Sequence, residues 1–118
     1  MPENDTSVST VAARLRLDGG FAADERDKIV GRMGTLDRRL ATFDVEGVDL
    51  ELSVKERDTP SQKVVLECWI AGWPRTVATS TRANLGDAIN EVRDDLVRQL
   101  NSLKTRKEPK NNRSGRVT

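Results

Sequence analysis

Residues 48–70 read VDLELSVKERDTPSQKVVLECWI, and this stretch decides the fold. Apolar and polar residues alternate over positions 48–55 and again over positions 63–70. A period of two predicts strands with one buried face and one solvated face. The polar residues between the two runs have the composition of a turn. The stretch therefore predicts an antiparallel hairpin whose buried face consists of Val48, Leu50, Leu52, Val54, Val64, Leu66, Cys68 and Ile70.

Shorter alternating segments predict one more strand on each side of the hairpin. Upstream, residues 11–17 alternate, and Gly19 and Gly20 end that segment. Downstream, the turn residues 71–74 precede a strand over residues 75–79. The sequence thus predicts four strands, and the inward face of the first consists of Val11, Ala13, Leu15 and Leu17.

Two other segments have the longer apolar period of a helix. Over residues 24–40 apolar side chains recur at spacings of three and four, although Gly31 and Gly34 lie inside the segment. Each glycine lowers helix stability by up to about 1 kcal/mol relative to alanine, so packing must hold this helix. The second helix, residues 85–107, ends before Pro109. Its apolar stripe consists of Leu85, Ile89, Val92, Leu96, Leu100 and Leu103.

The order of elements is β-α-β-β-β-α, which predicts an α+β fold of two layers. We expect a four-stranded sheet with both helices packed on its single apolar face. The domain is expected to extend over residues 11–107. Residues 1–10 and the basic residues 108–118 show no apolar pattern and are expected to be disordered.

The composition argues against catalysis. The 118 residues include no histidine and one cysteine, so no Ser-His-Asp triad, Cys-His pair or imidazole zinc site can form. Cys68 falls on the apolar side of its strand, where an inert, buried thiol is expected. The acidic residues of positions 24–27 and of Asp94-Asp95 are expected to be solvated helix carboxylates. We therefore expect no enzymatic activity, small-molecule substrate, cofactor or metal.

The hydropathy pattern predicts where the protein acts. No apolar run approaches the roughly 18 residues that cross a bilayer, and the polar N-terminus lacks the pattern of a secretion signal. These features predict a protein of the reducing cytoplasm with no membrane contact.

The charges are distributed unevenly along the chain. The 20 basic residues nearly balance 19 acidic ones, for a net charge of +1. Residues 98–118 contain seven basic residues against Glu108 alone, a net charge of +6, so residues 1–97 carry −5. A basic end on a mildly acidic body is typical of a chain that binds a polyanion through one region.

Basic residues before the tail are predicted to form more than one patch. Their contacts with backbone phosphates would need no sequence-specific geometry, so binding would depend on shape and on salt. The predicted patches are Arg93 with Lys104 on one shoulder of the second helix, Arg14 with Arg16 on the wet face of the first strand, and Arg38 with Arg39 late in the first helix.

The second helix also resembles a known family. Residues 88–92, AINEV, are followed by Leu96, by residues 98–101, RQLN, and by Leu103. This pattern is similar to the C-terminal helix of the ribosome hibernation promoting factor family, also called RaiA, protein Y or ribosome-associated inhibitor. That family has the β-α-β-β-β-α order predicted above, so the resemblance covers about residues 11–107.

The resemblance implies a cytoplasmic, non-enzymatic factor that binds 16S rRNA of the small ribosomal subunit, in the channel between head and body. Family members there overlap the positions of mRNA and of A-site and P-site tRNA, which silences the ribosome under stress. Asp95 and Ser102 stand where the family often has basic residues, which predicts weaker rRNA binding. The positions implied to contact rRNA phosphates are Arg93, Arg98, Lys104, Arg106, Lys107 and Lys110, to which we add Arg14, Arg16, Arg38 and Arg39.

Two other functions fit the same sequence features. A helix-and-sheet domain with basic shoulders could bind double-stranded RNA or DNA in general. Alternatively, the domain could bind a protein through an exposed sheet edge, with the tail serving solubility. The chain ends at Thr118, too early for the separate dimerising domain of the family's long members, so on its own it is not expected to drive ribosome dimers through that domain. The free protein is expected to be a monomer.

Overall fold

The structure, a computed structural model, describes residues 9–107, with side chains as far as residue 104. The elements are α1 Thr10–Arg14, β1 Leu15–Leu17, α2 Arg26–Arg32, α3 Gly34–Leu40, β2 Val48–Lys55, β3 Lys63–Ile70, β4 Thr76–Ser80 and α4 Leu85–Lys107. The predicted α+β class is confirmed. The segments predicted to be disordered, 1–10 and 108–118, lie outside the described residues except for Ser9 and Thr10, where α1 begins.

The strands form one sheet in the order β1-β2-β3-β4. β2 and β3 pair antiparallel, from Val48 opposite Ile70 to Lys55 opposite Lys63, which confirms the predicted hairpin. β4 pairs antiparallel with β3 and begins at Thr76, one residue later than predicted. β1 pairs parallel with β2, and the chain returns between them through α2 and α3.

The first strand is shorter than predicted. Residues 11–14 belong to α1, and only Leu15–Leu17 pairs with β2. The hydroxyl oxygen of Ser9 caps α1 by accepting a hydrogen bond from the amide of Ala12. The Asp37 carboxylate of α3 accepts one bond from the Ser9 hydroxyl at 2.6 Å and another from an amide of α1 at 3.2 Å. Because amides of its first turn have hydrogen-bond acceptors, a helix is stable where the apolar alternation predicted a strand.

The first predicted helix is interrupted at Met33. α2 ends at Arg32 and α3 begins at Gly34, while Met33 has backbone angles of φ −92° and ψ 15°. Gly31 and Gly34 flank the break, and their low helix propensity explains why one continuous helix does not form. The segment still buries the predicted apolar stripe of Ile29, Met33, Leu36 and Leu40.

One hydrophobic core contains buried residues of the sheet and of the helices. β2 and β3 contribute the alternate residues predicted to face inward, and burying each leucine fully contributes roughly 1.5–3 kcal/mol. Of the face predicted for the first strand, Val11 and Leu15 are buried, whereas Leu17 is half-buried and Ala13 is exposed in α1. Residues at the intervening strand positions are half-buried or exposed, and we call this side of the sheet the open face. The open face includes Arg16, Asp49, Glu51, Ser53, Val65, Glu67, Trp69, Val77 and Thr79.

α4 has the bounds predicted for the second helix, Leu85–Lys107. Asn84 caps it, because its Oδ1 accepts a hydrogen bond from the amide of Asp87 at 2.9 Å. Pro109, predicted to stop the helix, lies outside the described residues. Within residues 9–107, no helix has the length and apolar character needed to cross a membrane.

Candidate nucleic-acid interface

α2 and α3 lie beside α4, and polar side chains link them. We call this line of contact the helical seam. Five basic residues of these helices have no carboxylate partner among residues 9–104, and we call them the seam cations: Lys28 and Arg32 of α2, the consecutive Arg38 and Arg39 of α3, and Lys104 of α4. Arg26 of α2 is not included because its guanidinium donates to carbonyls beside β1.

At one end of the seam, Arg32 contacts the first turns of α4. Its Nη1 donates to Asn90 Oδ1 at 3.4 Å, and its Nη2 would lie 3.0 Å from a Cβ atom built on Gly86. Lys28 precedes Arg32 by one helical turn, and both residues border a hollow of about 110 Å³ that Glu25 and Leu85 also line. Two cations therefore stand together beside the N-terminal end of α4.

At the other end of the seam, Arg39 contacts the second half of α4. Its Nε donates to Asn101 Oδ1, and its Nη1 donates to Thr42 Oγ1 at 3.5 Å. Lys104 follows Asn101 by three residues, so it lies about 60° away around the same side of α4. Asn90 and Asn101 are separated by about 16 Å along the helix axis. That length corresponds to about five phosphates of one nucleic-acid strand.

The charge of the seam is not cancelled by local ion pairs. None of the five seam cations lies within ion-pair distance of a carboxylate of residues 9–104. The nearby carboxylates have other hydrogen-bond partners, since Asp37 is held by α1 and Glu25 accepts bonds of 2.8 and 2.6 Å from Arg57. Glu25 is close enough to Lys28 for the two charges to attract each other, which offsets part of the charge of Lys28. The hydrogen bonds from Arg57, together with one from the amide of Ala22, lower the pKa of Glu25 to about 2. The seam can therefore attract a polyanion.

Arg14 and Arg16 lie at the open face instead, and both are ion-paired. Arg14 donates to a β2 carbonyl at 2.7 Å and to Asp49 Oδ1 at 3.0 Å. Arg16 lies 3.9 Å from Glu51, with its guanidinium 5.8 Å from the ring centre of Trp69. The structure does not bring these two predicted site residues to the seam.

Arg93 and Arg98 of α4 are also ion-paired. Arg93 donates from Nε to Asp94 Oδ1 at 2.8 Å and from Nη1 to the carbonyl of Arg32 at 2.8 Å, and only 20 % of its side chain is exposed. Arg98 is 70 % exposed and lies 3.2 Å from Asp95. Arg93 thus lies at the seam with its guanidinium directed into the protein. Arg98 is exposed, but the carboxylate of Asp95 balances its charge.

The first half of α4 is acidic where it faces solvent. Ser80 and Arg82 hydrogen-bond to Glu91 and lower its pKa. Asp95 adds a further carboxylate at a position where the family that α4 resembles often has a basic residue. The helix thus changes from acidic to basic along its length, an order that complements the helix dipole. A polar hollow of about 400 Å³ borders the acidic half and is lined by Arg82, Asp87, Asn90, Glu91, Asp94 and Arg98.

The structure divides the predicted site residues into groups. Sequence reasoning missed Lys28 and Arg32, although their spacing of four in a predicted helix could have placed them on one side. Among the predicted residues without a carboxylate partner in residues 9–104, Arg39 contacts α4 directly, Arg38 is exposed next to it on α3, and Lys104 lies on α4. The predicted residues whose side chains lie outside the described part are Arg106, Lys107 and Lys110.

The thiol of Cys68 is buried, as predicted. Its residue is 1 % exposed, and this burial raises the pKa of the thiol to about 11. A thiol in such surroundings is a poor nucleophile because the thiolate is disfavoured. Within the described part of the chain, no group of three or more potential metal ligands occurs.

The fold belongs to the class of two-layer α+β domains with a single four-stranded sheet. It is similar to the crystal structure of the N-terminal domain of Protein Y from Thermus thermophilus, with a TM-score of 0.53 over 75 % of this chain and 93 % of that one. The two sequences are 16 % identical, so the likeness shows a shared fold. Protein Y is also one name of the family that α4 resembles in sequence. No protein-family model matches the chain, and no curated protein matches it.

Proposed function

We propose that the protein is a ribosome-associated hibernation factor that binds rRNA through the helical seam and the second half of α4. The observation that carries this proposal is the set of five seam cations, which have no carboxylate partner among residues 9–104, on the helices that meet along the helix whose sequence resembles the family. The fold shared with the N-terminal domain of Protein Y supports it. The net charge of +6 on residues 98–118 extends the same positive region along the sequence.

The family resemblance suggests a finer location. The protein would bind 16S rRNA in the channel of the small subunit, where it would exclude mRNA and the A-site and P-site tRNAs. Phosphate contacts and shape suffice for such binding, since RNA helices are recognised largely through their backbone. Such a factor would act in the cytoplasm.

Co-sedimentation with purified 30S subunits tests this proposal. At low salt we expect the protein to move with the subunits, and we expect prebound mRNA and P-site tRNA to displace it. Protein that stayed at the top of the gradient would overturn the proposal. The seam cations would also fit the phosphates of any RNA duplex, so displacement by excess duplex RNA, but not by mRNA and tRNA, would favour general duplex binding instead.

The seam itself is tested by the double variant Arg38→Gln with Lys104→Gln. We expect weaker binding to 30S subunits and a salt slope lower by about two, because each lost phosphate contact removes about one from the slope. The matched control is Lys55→Gln with Lys63→Gln, which removes two exposed lysines that face each other across the β2–β3 hairpin. Equal losses in the two double variants would argue against the seam as the binding surface.

A further inference from the structure

The joint between α2 and α3 has no side-chain cap of its own. The amide of Met33 donates to the carbonyl of Val30, and no side chain caps the start of α3. Gly31 and Gly34 flank the joint and contribute no side chain. Because the last carbonyls of a helix have no partner within it, the remaining carbonyls at the end of α2 are open to donors from outside the helix.

Arg93 of α4 supplies such a donor. Its Nη1 donates to the carbonyl of Arg32 at 2.8 Å and lies 3.3 Å from Asn90 Oδ1, while its Nε donates to Asp94 at 2.8 Å. Asn90 Oδ1 also accepts from Arg32 Nη1 at 3.4 Å, so one amide oxygen joins both guanidinium groups. The planar guanidinium reaches three acceptors at once, which the single ammonium of a lysine does not reproduce.

We propose that Arg93 is a positioning residue, an inference that rests on the function proposed above. It fixes the α2–α3 joint on α4 and thereby sets the positions of Arg32 and of the α3 cations relative to Lys104. Its own charge is balanced by Asp94, and its guanidinium is directed at a carbonyl rather than at solvent. A phosphate contact would need Arg93 mainly as a positive charge, which lysine could replace.

Binding to purified 30S subunits distinguishes a positioning role of Arg93 from a direct phosphate contact. We expect Arg93→Lys and Arg93→Gln to weaken binding alike, by about tenfold, with the salt slope of the unmodified protein. Asn90→Ala removes no charge and should also weaken binding. Full affinity in Arg93→Lys, or a slope lower by about one in Arg93→Gln, would assign Arg93 to a phosphate and overturn the proposal.

Amide hydrogen exchange gives a readout that does not depend on ribosome binding. In Arg93→Gln we expect faster exchange in the last turn of α2 and in α3, with unchanged exchange in β2 and β3. The matched control is Arg98→Gln, which removes an exposed, ion-paired arginine of the same helix. Unchanged exchange in α3 would overturn the positioning role, and so would an equal increase in every element, since Arg93 would then only stabilise the fold. Failure of the unmodified protein to bind 30S subunits would instead refute the proposed function.

Discussion

At the scale of single residues, Arg57 joins the β2–β3 loop to the start of the helical layer. It donates two hydrogen bonds to Glu25 and one to the carbonyl of Gly20 at 2.9 Å. Its guanidinium also lies 5.6 Å from the ring centre of Phe21. The ionised form of Glu25 is therefore tied to the folded state, which makes this pair a source of pH dependence.

The pair predicts how stability responds to acid. The pKa of Glu25 is lowered from 4.5 to about 2, so its contribution is complete above about pH 4.5 and is lost as the pH falls to about 2. We expect Glu25→Gln to be less stable than the unmodified protein at neutral pH and to lose less stability over this acid range. Urea unfolding midpoints measured at several pH values check this. The control is Glu46→Gln, at an exposed carboxylate that forms no ion pair with any residue of 9–104. Parallel curves for Glu25→Gln and the unmodified protein would contradict the prediction.

The partners of individual arginines could not be read from the sequence. Arg93 contacts a carbonyl 61 positions away, and Arg39 contacts an amide side chain 62 positions away. Composition and helical spacing could identify both residues as basic and surface-directed, as the sequence analysis did. Which charges are balanced, and which are left for a ligand, depends on tertiary contacts that no local pattern encodes.

At the scale of elements, prediction succeeded where one burial pattern continued over a long segment. β2, β3 and α4 have the predicted bounds, because alternation or a helical stripe specifies one buried face throughout each. Prediction failed at α1, where the cap at Ser9 and the distant Asp37 stabilise a helical turn. It also failed at Met33, where two weak helix formers were counted but the resulting break was not anticipated.

Replacing either of two glycines by alanine is expected to change the free energy of unfolding, and the two changes have opposite signs. A Cβ on Gly31 of α2 meets nothing within 4 Å, so we expect Gly31→Ala to raise the free energy of unfolding by up to about 1 kcal/mol. A Cβ on Gly20 would lie 2.6 Å from Val54 Cγ1 and 2.7 Å from the Val54 carbonyl oxygen. We therefore expect Gly20→Ala to lower it by roughly 1–3 kcal/mol. Urea denaturation measures both, and a destabilising Gly31→Ala would show that α2 does not tolerate a regular helical residue there.

At the scale of the whole molecule, each edge strand of the sheet has one carbonyl that accepts a hydrogen bond from a side chain of a helix. Arg26 donates to the carbonyls of Leu15 at 2.8 Å and Ala12 at 2.7 Å, beside β1. Gln99 of α4 donates to the carbonyl of Val77 at 2.8 Å, on β4. Edge carbonyls that already have donors offer less to an added strand. This arrangement counts against the reading of the domain as one that binds proteins through a sheet edge.

The side-chain donors at Leu15 and Val77 agree with the expectation that the free protein is a monomer. We expect size-exclusion chromatography with light scattering to give the monomer mass over a wide concentration range. Removing both donors, in Arg26→Ala with Gln99→Ala, should produce concentration-dependent association, because two edge carbonyls lose their partners. Arg16→Ala, on the open face, is the matched control. Dimerisation of the unmodified protein without nucleic acid would revive the protein-binding hypothesis.

If the protein binds RNA as proposed, the change from acidic to basic along α4 would affect how it approaches the RNA surface. A body whose charges are separated in this way experiences a torque in the field of a polyanion, so its basic end turns toward the RNA before the two touch. Such steering raises the association rate constant, most strongly at low ionic strength, and has less effect on how long the complex lasts. The layout of charge on one helix would thus determine which end of the protein arrives first.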